Sequence, residues 1–418
     1  MIRLIEALNY RCLRYIKQPL SDFHVLVGPN ASGKSSFLDV VSFLGDLVSD
    51  GLDSAIQKRT SNFTDLLFAR EGDRFELAVE MEIPAKRRTT LPQDKKFQSI
   101  RYEIMIGLVE NEVHILDESV LLQESFTNTS QQREIFPCPL VPPDTIMTKR
   151  WQKQGRRIVT KAYTGNDNYY SEVHKQGGKG WAPSIRLGPT KSALANLPAD
   201  ETNFPVTTWF RDILKDGVQQ LMLNSSALRL SSPPGQGLKF KPDGSNLPWA
   251  VQNTLVESPE KHKDWVNHIH AALPDLKNIQ TVELQDTRHR YLKLTYENGL
   301  EVPAWMASDG TLRLLALTLP AFLSEFEGIY LIEEPENGIH PMAMETVFQA
   351  LRSVYDAQIL LATHSPVILG CADTSDILCF KKTDNGATDI VSGEEHPALR
   401  QWQGALKLSD LYASGVLG

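Results

Sequence analysis

Hydrophobic and polar positions along the chain alternate in short blocks. The first thirty residues predict two strands leading into a turn. The apolar run Phe23-His24-Val25-Leu26-Val27 is closed by Gly28-Pro29-Asn30, and a helical spacing of apolar residues follows over 34–47. Residues 73–83 and 98–122 alternate or run apolar and predict a β meander. Between about 125 and 200 apolar runs shorten, and Pro, Gly and polar residues increase. This texture predicts an insertion projecting from the core, with a strand pair at 156–163 and 169–175 turned by Gly165-Asn166-Asp167-Asn168. Residues 204–223 predict a helix, and Asp243-Gly244-Ser245-Asn246 a turn before another helical stretch. In the last third, helices at 312–322 and 341–355 alternate with strands at 328–332, 359–363 and 377–381. Strands alternating with helices predict a parallel sheet.

The ordering places candidate chemistry at strand ends. Gly28-Pro29-Asn30-Ala31-Ser32-Gly33-Lys34-Ser35 is GxxxxGKS, a P-loop, with Ser36 following in the helix. Its flanks are those the motif needs, an apolar strand before and a helix after. Glycines let the backbone curl so that amide N–H groups converge on phosphates at a helix amino end. Lys34 would reach the β- and γ-phosphates of ATP, and Ser35 would hold Mg2+. The strand ending Ile329-Tyr330-Leu331-Ile332 delivers Glu333 and Glu334 at its carboxyl end, where α/β sheets bind ligands. Glu333 would hold Mg2+ directly or through water, and Glu334 would polarise the attacking water.

Several segments together resemble the ATPase heads of SMC, Rad50 and RecF proteins, and most of all the stand-alone predicted ATPases labelled "AAA family". They are Glu333 to Pro341 (EEPENGIHP), Ala362 to Pro366 (ATHSP), Ser308-Asp309-Gly310-Thr311 before a helix, Asp243 to Leu247 (DGSNL) and Asn9-Tyr10-Arg11-Cys12. The resemblance covers about residues 1–120 and 220–385. It implies an ABC-type ATPase head of α/β class, with a P-loop parallel sheet, an antiparallel β meander and an inserted arm. The implied layout is an amino-terminal core part at 1–124, a basic insertion at 125–203, a helical lobe with the rest of the core at 204–390, and a tail at 391–418. It further implies that two heads sandwich two ATP molecules. The signature residues Ser308, Asp309, Gly310 and Thr311 of one copy would face the P-loop of the other. Asn337 and Gly338 would form the D-loop, and His364 would contact the γ-phosphate or the attacking water. A glutamine joining the metal to the sensing lobe is also implied. Gln123 is the first candidate, with Gln131 and Gln132 as alternatives. Arg11 has two readings, a phosphate contact or a solvent-facing strand arginine. The sequence departs from the family in carrying Glu333 where many relatives have Asp, and ASDGT in place of LSGGQ.

Composition narrows the partners. The 418 residues carry a formal charge of -8, which argues against a protein that coats nucleic acid over its whole surface. Residues 141–191 nevertheless hold ten basic side chains against three acidic ones, interleaved with Trp151, Tyr163, Tyr169, Tyr170 and Trp181. That segment leaves open DNA, a protein partner, or an arm that packs its own aromatics. Cys12, Cys138, Cys371 and Cys379 form no CxxC pair, so zinc and disulfide frameworks are not expected, and free thiols suit the cytoplasm. No apolar run is long enough to span a membrane. The insertion lacks sustained heptads, so no long coiled coil is expected. About fifty residues follow His364, too few for an appended nuclease domain. The implied roles are therefore two. One is a sensor or scaffold ATPase controlling a separately encoded effector in bacterial phage defence. The alternative is a DNA-binding ATPase of repair or chromosome maintenance.

Overall fold

A computed structural model describes residues 1–92, 96–126, 133–149, 155–174, 183–237, 239–323, 326–400 and 408–414. In chain order the strands are β1 (Ile2–Tyr10), β2 (Leu13–Pro19), β3 (Phe23–Val27), β4 (Arg74–Glu82), β5 (Ser99–Val109), β6 (Glu112–Gln123), β7 (Arg156–Ala162), β8 (Asp167–Tyr169), β9 (Ser184–Ile185) and β10 (Val218–Leu221). They continue as β11 (Leu276–Glu283), β12 (Arg290–Tyr296), β13 (Glu301–Pro303), β14 (Gly328–Glu333), β15 (Ala357–Ala362), β16 (Ile377–Lys382) and β17 (Thr388–Ser392).

Three sheets organise the chain. A six-stranded sheet runs β10-β14-β15-β3-β16-β17, parallel except for its last pair. The expected strand–helix alternation thus yields the expected parallel sheet. The meander belongs to an eight-stranded sheet ordered β2-β1-β4-β5-β6-β7-β8-β9. A three-stranded sheet, β11-β12-β13, accompanies the helices Leu247–Glu257 and Pro259–Ile269.

Strand alternation decides where the cores lie. On the six-stranded sheet, Leu26, Ile329, Leu331, Leu360, Leu378 and Phe380 face one way. They join the P-loop helix Lys34–Asp50 and the apolar face of the eight-stranded sheet in one hydrophobic cluster. Val25, Val27, Tyr330, Ile332, Leu361 and Cys379 face the other way, into a second cluster with the helices Leu247–Glu257, Pro259–Ile269, Asp309–Thr318 and Pro341–Arg352. The parallel sheet is therefore covered on both faces, and its ligand-accessible positions are at the strand ends.

Two expectations change here. Residues 204–223 are not one helix. The helix Pro205–Asp212 passes through a wide turn at Ile213–Gly217 and becomes β10, parallel to β14. The described residues of the segment 125–203 do not all project from the core either. Within it β7 pairs antiparallel with β6, and Ile158, Val159, Tyr169, Ala193 and Leu194 enter the first core cluster.

The basic side chains of that segment explain the second change. Arg157 donates to Ser119 Oγ (2.8 Å) and to the Thr148 carbonyl (2.6 Å). Arg156 donates to the carbonyls of Glu172 and His174. Lys161, 3% exposed, bonds Asp167 and the Gly188 carbonyl. Buried carboxylates do similar work. Glu118 accepts from Tyr102, Ser192 and the amides of Ala193 and Leu194. Glu172 accepts from the Val206 and Thr207 amides at the start of the Pro205–Asp212 helix. Three of the ten basic side chains in the segment 141–191 are thus internal wiring, while Lys149, Arg186 and Lys191 are exposed. Trp151, Trp181 and several of its lysines lie outside the described residues.

Candidate nucleotide site

Backbone sterics form the first wall of the site. The loop between β3 and the Lys34–Asp50 helix turns through positive φ at Gly28, Ala31 and Gly33. A methyl group on Gly28 would come 2.3 Å from the Phe380 carbonyl, and one on Gly33 would come 2.2 Å from Thr388 Oγ1. Only glycine fits both places. Thr388 also donates to the Ser32 carbonyl (2.9 Å), tying the loop to β17. Pro29 and Asn30 are exposed at the loop's crest. Lys34 folds back over the loop, its ammonium donating to the Gly28 (2.8 Å) and Pro29 (3.0 Å) carbonyls. Burial pushes its pKa down, while Glu334, Glu333 and Glu336 pull it up. The lysine therefore sits among the acids that end β14.

Those acids all come from the end of β14 and the turn that follows it. Ser35 Oγ donates to Glu333 Oε2, and Gln220 Nε2 donates to Glu333 Oε1 (3.2 Å). Glu334 takes a left-handed backbone, φ 48°, which breaks the strand's alternation. Its amide bonds the Ala362 carbonyl (2.8 Å), and its carboxylate receives Asn337 Nδ2 (2.7 Å). A non-glycine residue held in that region points to a functional constraint. Glu336 accepts from Thr363 Oγ1 and the His364 amide, 2.8 Å each, and so fixes the end of β15. His364 stands beside Lys34 and Glu334. Burial, then the charge of Lys34, lowers its pKa below the usual imidazole value.

The signature segment forms the start of the helix Asp309–Thr318. Ser308 caps it, accepting from the Thr311 amide (3.1 Å) and lying 2.8 Å from Thr311 Oγ1. Asp309, the unexpected acid, is paired with Arg229 at 2.7 Å. A methyl on Gly310 would come 3.0 Å from the Gly338 carbonyl, so signature and D-loop form one continuous exposed surface. Arg11 takes a third position. It pairs with Asp39 (3.1 Å) and lines a cavity of about 530 Å3 with Cys12, Arg59 and Asn385, flanking the P-loop helix. Cys12 Sγ is 3.2 Å from Ser36 Oγ in the first turn of that helix.

Gln123 is not brought to this site. It ends β6 in register with Ser99, at the sheet end where Ile2 pairs with Met81. The Tyr10–Cys12 turn that abuts the P-loop is at the opposite end of β1, about 25 Å of strand away. Gln131 and Gln132 lie outside the described residues. Among the described residues, Gln220 is the glutamine that bonds Glu333. The signal that could have found it is Gly217 followed by a β-branched residue and paired glutamines, which mark the end of the apolar helical spacing.

Oxygen donors suit a hard divalent cation. Ser35 Oγ and Glu333 converge, with the Gln220 amide alongside, and such a set leaves remaining positions to phosphate oxygens and water, as Mg2+ prefers. Among the described residues no helix is long and apolar enough to cross a membrane.

Comparison with known proteins agrees with this geometry. No curated protein matches the chain. Among solved structures, it resembles an SMC head bound to the C-winged helix domain of ScpA, at 14% identity and TM-score 0.53, covering 94% of this chain and 97% of that one. It also resembles the Pyrococcus furiosus SMC head with an extended coiled coil, bound to the C-terminal domain of ScpA. There the identity is 14%, the TM-score 0.51, and the coverage 100% and 98%. At such identities these likenesses establish the fold. The family model described as "AAA domain, putative AbiEii toxin, Type IV TA system" matches residues 23–137 and 162–370, most of the chain. The chain therefore belongs to that AAA-domain family and has the fold of an ABC/SMC-type ATPase head.

Proposed function

We infer that this protein binds and hydrolyses ATP with Mg2+, pairs with a second copy of itself when ATP is bound, and through that closure controls a separately encoded effector protein. The observation that carries the reading is the convergence of Lys34, Ser35 with Glu333 and Gln220, Glu334 with Asn337, and His364 at the ends of adjacent parallel strands.

Each side chain then has a task. The P-loop amides and Lys34 hold the β- and γ-phosphates, with Lys34 exchanging its two carbonyl partners for phosphate oxygens. Ser35, Glu333 and Gln220 hold Mg2+, which supplies charge neutralisation on the phosphates. Glu334, its carboxylate steered by Asn337, accepts a proton from the attacking water. His364 donates to the γ-phosphate or that water. Arg11 and the cavity it lines receive the nucleoside side of ATP.

Pairing is supported by what the surface exposes. Ser308 and Asp309 are solvent-facing at the amino end of the Asp309–Thr318 helix, whose backbone N–H groups could meet the phosphate held by a second copy. Trp305 (50%), Met306 (71%) and Met342 (84%) are exposed beside signature and D-loop, as a face that closes on a second copy would be. Control of a separate effector in phage defence follows the resemblance to stand-alone ATPases of such systems, and the family's description adds a link to a toxin–antitoxin system. The SMC heads it resembles are bound to domains of ScpA, which makes a protein partner the natural comparison. The DNA-repair reading drew on the basic segment, and that support narrows to its other basic residues because Arg156, Arg157 and Lys161 are engaged internally.

The test is Glu334→Gln. It should bind ATP yet hydrolyse it at least about 100-fold more slowly, and sediment as two copies with ATP and Mg2+. Turnover near the wild-type rate would move the proton acceptor elsewhere, with Glu336 next in line.

A further inference from the structure

The helix Leu408–Ala413 sits against the nucleotide site although no motif led to it. It docks through Leu408, 4% exposed, and Leu411, on the core beside the helix Pro366–Cys371. That docking brings the Tyr412 hydroxyl 2.8 Å from His364 Nδ1 and 3.4 Å from the Gly28 carbonyl. One side chain from outside every recognised motif thus touches both the first glycine of the P-loop and the histidine at the end of β15.

The distances decide the proton arrangement. The Tyr412 hydroxyl has one proton and two neighbouring acceptors. An O–H···O bond at 3.4 Å is weak, whereas 2.8 Å to an imidazole nitrogen is a full bond. Donation to Nδ1 requires that Nδ1 carry no proton. A neutral imidazole then holds its single proton on Nε2. The reverse arrangement, Nδ1–H donating to Tyr412 and Tyr412 to Gly28, would spend the hydroxyl proton on the longer contact and leave Nε2 an acceptor.

We propose that Tyr412 is a positioning residue for His364: its hydroxyl donates to Nδ1 and so fixes the tautomer in which Nε2–H is the donor offered to the γ-phosphate or the attacking water. With its proton given to Nδ1 the hydroxyl only packs beside the Gly28 carbonyl, so the ring is set by Tyr412 only while the Leu408–Ala413 helix is docked. The proposal rests on the ATPase reading for what the Nε2 proton does, but not for where that proton is.

The test therefore has two arms, both on the full chain. Long-range 15N–1H NMR of 15N-histidine-labelled protein, with His364 assigned by His364→Gln, reads the tautomer without nucleotide. Nε2 protonated and Nδ1 bare is expected, with the preference lost in Tyr412→Phe. Nδ1 protonated in the wild type overturns the proposal, and so does a spectrum unchanged in Tyr412→Phe. Phe keeps the ring, Leu408 and Leu411, so the helix still docks, which the melting temperature checks. In the second arm, Tyr412→Phe should lower kcat for ATP hydrolysis about tenfold with KM within about twofold. It should have no further effect on top of His364→Gln. Equal losses in both backgrounds, or faster turnover, would overturn it. A wild type that hydrolyses no ATP sinks the ATPase reading instead, and the NMR arm still decides the tautomer.

Discussion

Replacing Arg157 by Ala asks whether the basic segment is surface or structure. The guanidinium donates to Ser119 Oγ at 2.8 Å and to the Thr148 carbonyl at 2.6 Å, joining β7, β6 and the crossing segment that precedes β7. Hydrogen bonds from a charged donor contribute about 1.5–3 kcal/mol each. Arg157 is only partly buried, and water can re-enter, so the lower end applies to both. The expected cost is about 3 kcal/mol. Lys149 and Lys191 are exposed in the same segment, and Ala at either should stay within about 0.5 kcal/mol of wild type. Urea denaturation read by circular dichroism measures all three. A salt-titrated DNA-binding assay run beside it should show no change specific to Arg157→Ala once folding is accounted for. The reasoning fails if Arg157→Ala unfolds like the wild type, and doubly so if it then weakens DNA binding and flattens the salt dependence.

Gln220→Ala should raise the Mg2+ concentration needed for half-maximal ATP hydrolysis by about 10–100-fold, the range for losing a group that orients a metal ligand. Gln123→Ala should leave that titration unchanged, and the reverse pattern would restore Gln123. Burial raises the Glu172 carboxyl to about 7, so the folded chain binds a proton there that the unfolded chain has already released. That contribution therefore falls as pH rises from about 4.5, the unfolded value, to about 7, and is constant above it. Denaturation of wild type and Glu172→Gln at pH 5 and pH 8 should show the wild type losing stability relative to the variant as pH rises. A parallel pair of profiles would show that Glu172 ionises normally.

The legibility of this site followed sequence distance. The P-loop, the acids at 333 and 334 and the segment around His364 each combine a strand, a turn and a polar residue within about ten positions, so local pattern was enough. Gln220 was hidden because Val206, Trp209, Phe210, Ile213 and Leu214 keep helical spacing almost to the strand. The four residues of β10 are held by pairing with β14, more than a hundred positions later, and no local signal records that partner. Charge counting found the basic segment but could not tell direction. Arg157 turns inward because its acceptors, Ser119 and Thr148, wait on β6 and the strap that crosses it. Asp309 departs from the LSGGQ pattern with no local reason, because Arg229, its partner, is eighty positions away. Tyr412 carries no motif at all and reaches His364 only through the docking of Leu408 and Leu411.

ATP binding by the wild type and by Lys34→Ala, measured by equilibrium titration with Mg2+ present and with circular dichroism confirming the fold, bears most directly on the central claim. Lys34, at the start of the P-loop helix, is 8% exposed and folded onto the Gly28 and Pro29 carbonyls that phosphate would displace. Saturable binding by the wild type and its loss in a folded Lys34→Ala chain is the predicted result. Equal ATP affinity in the two proteins, or no binding by the wild type, would contradict the account.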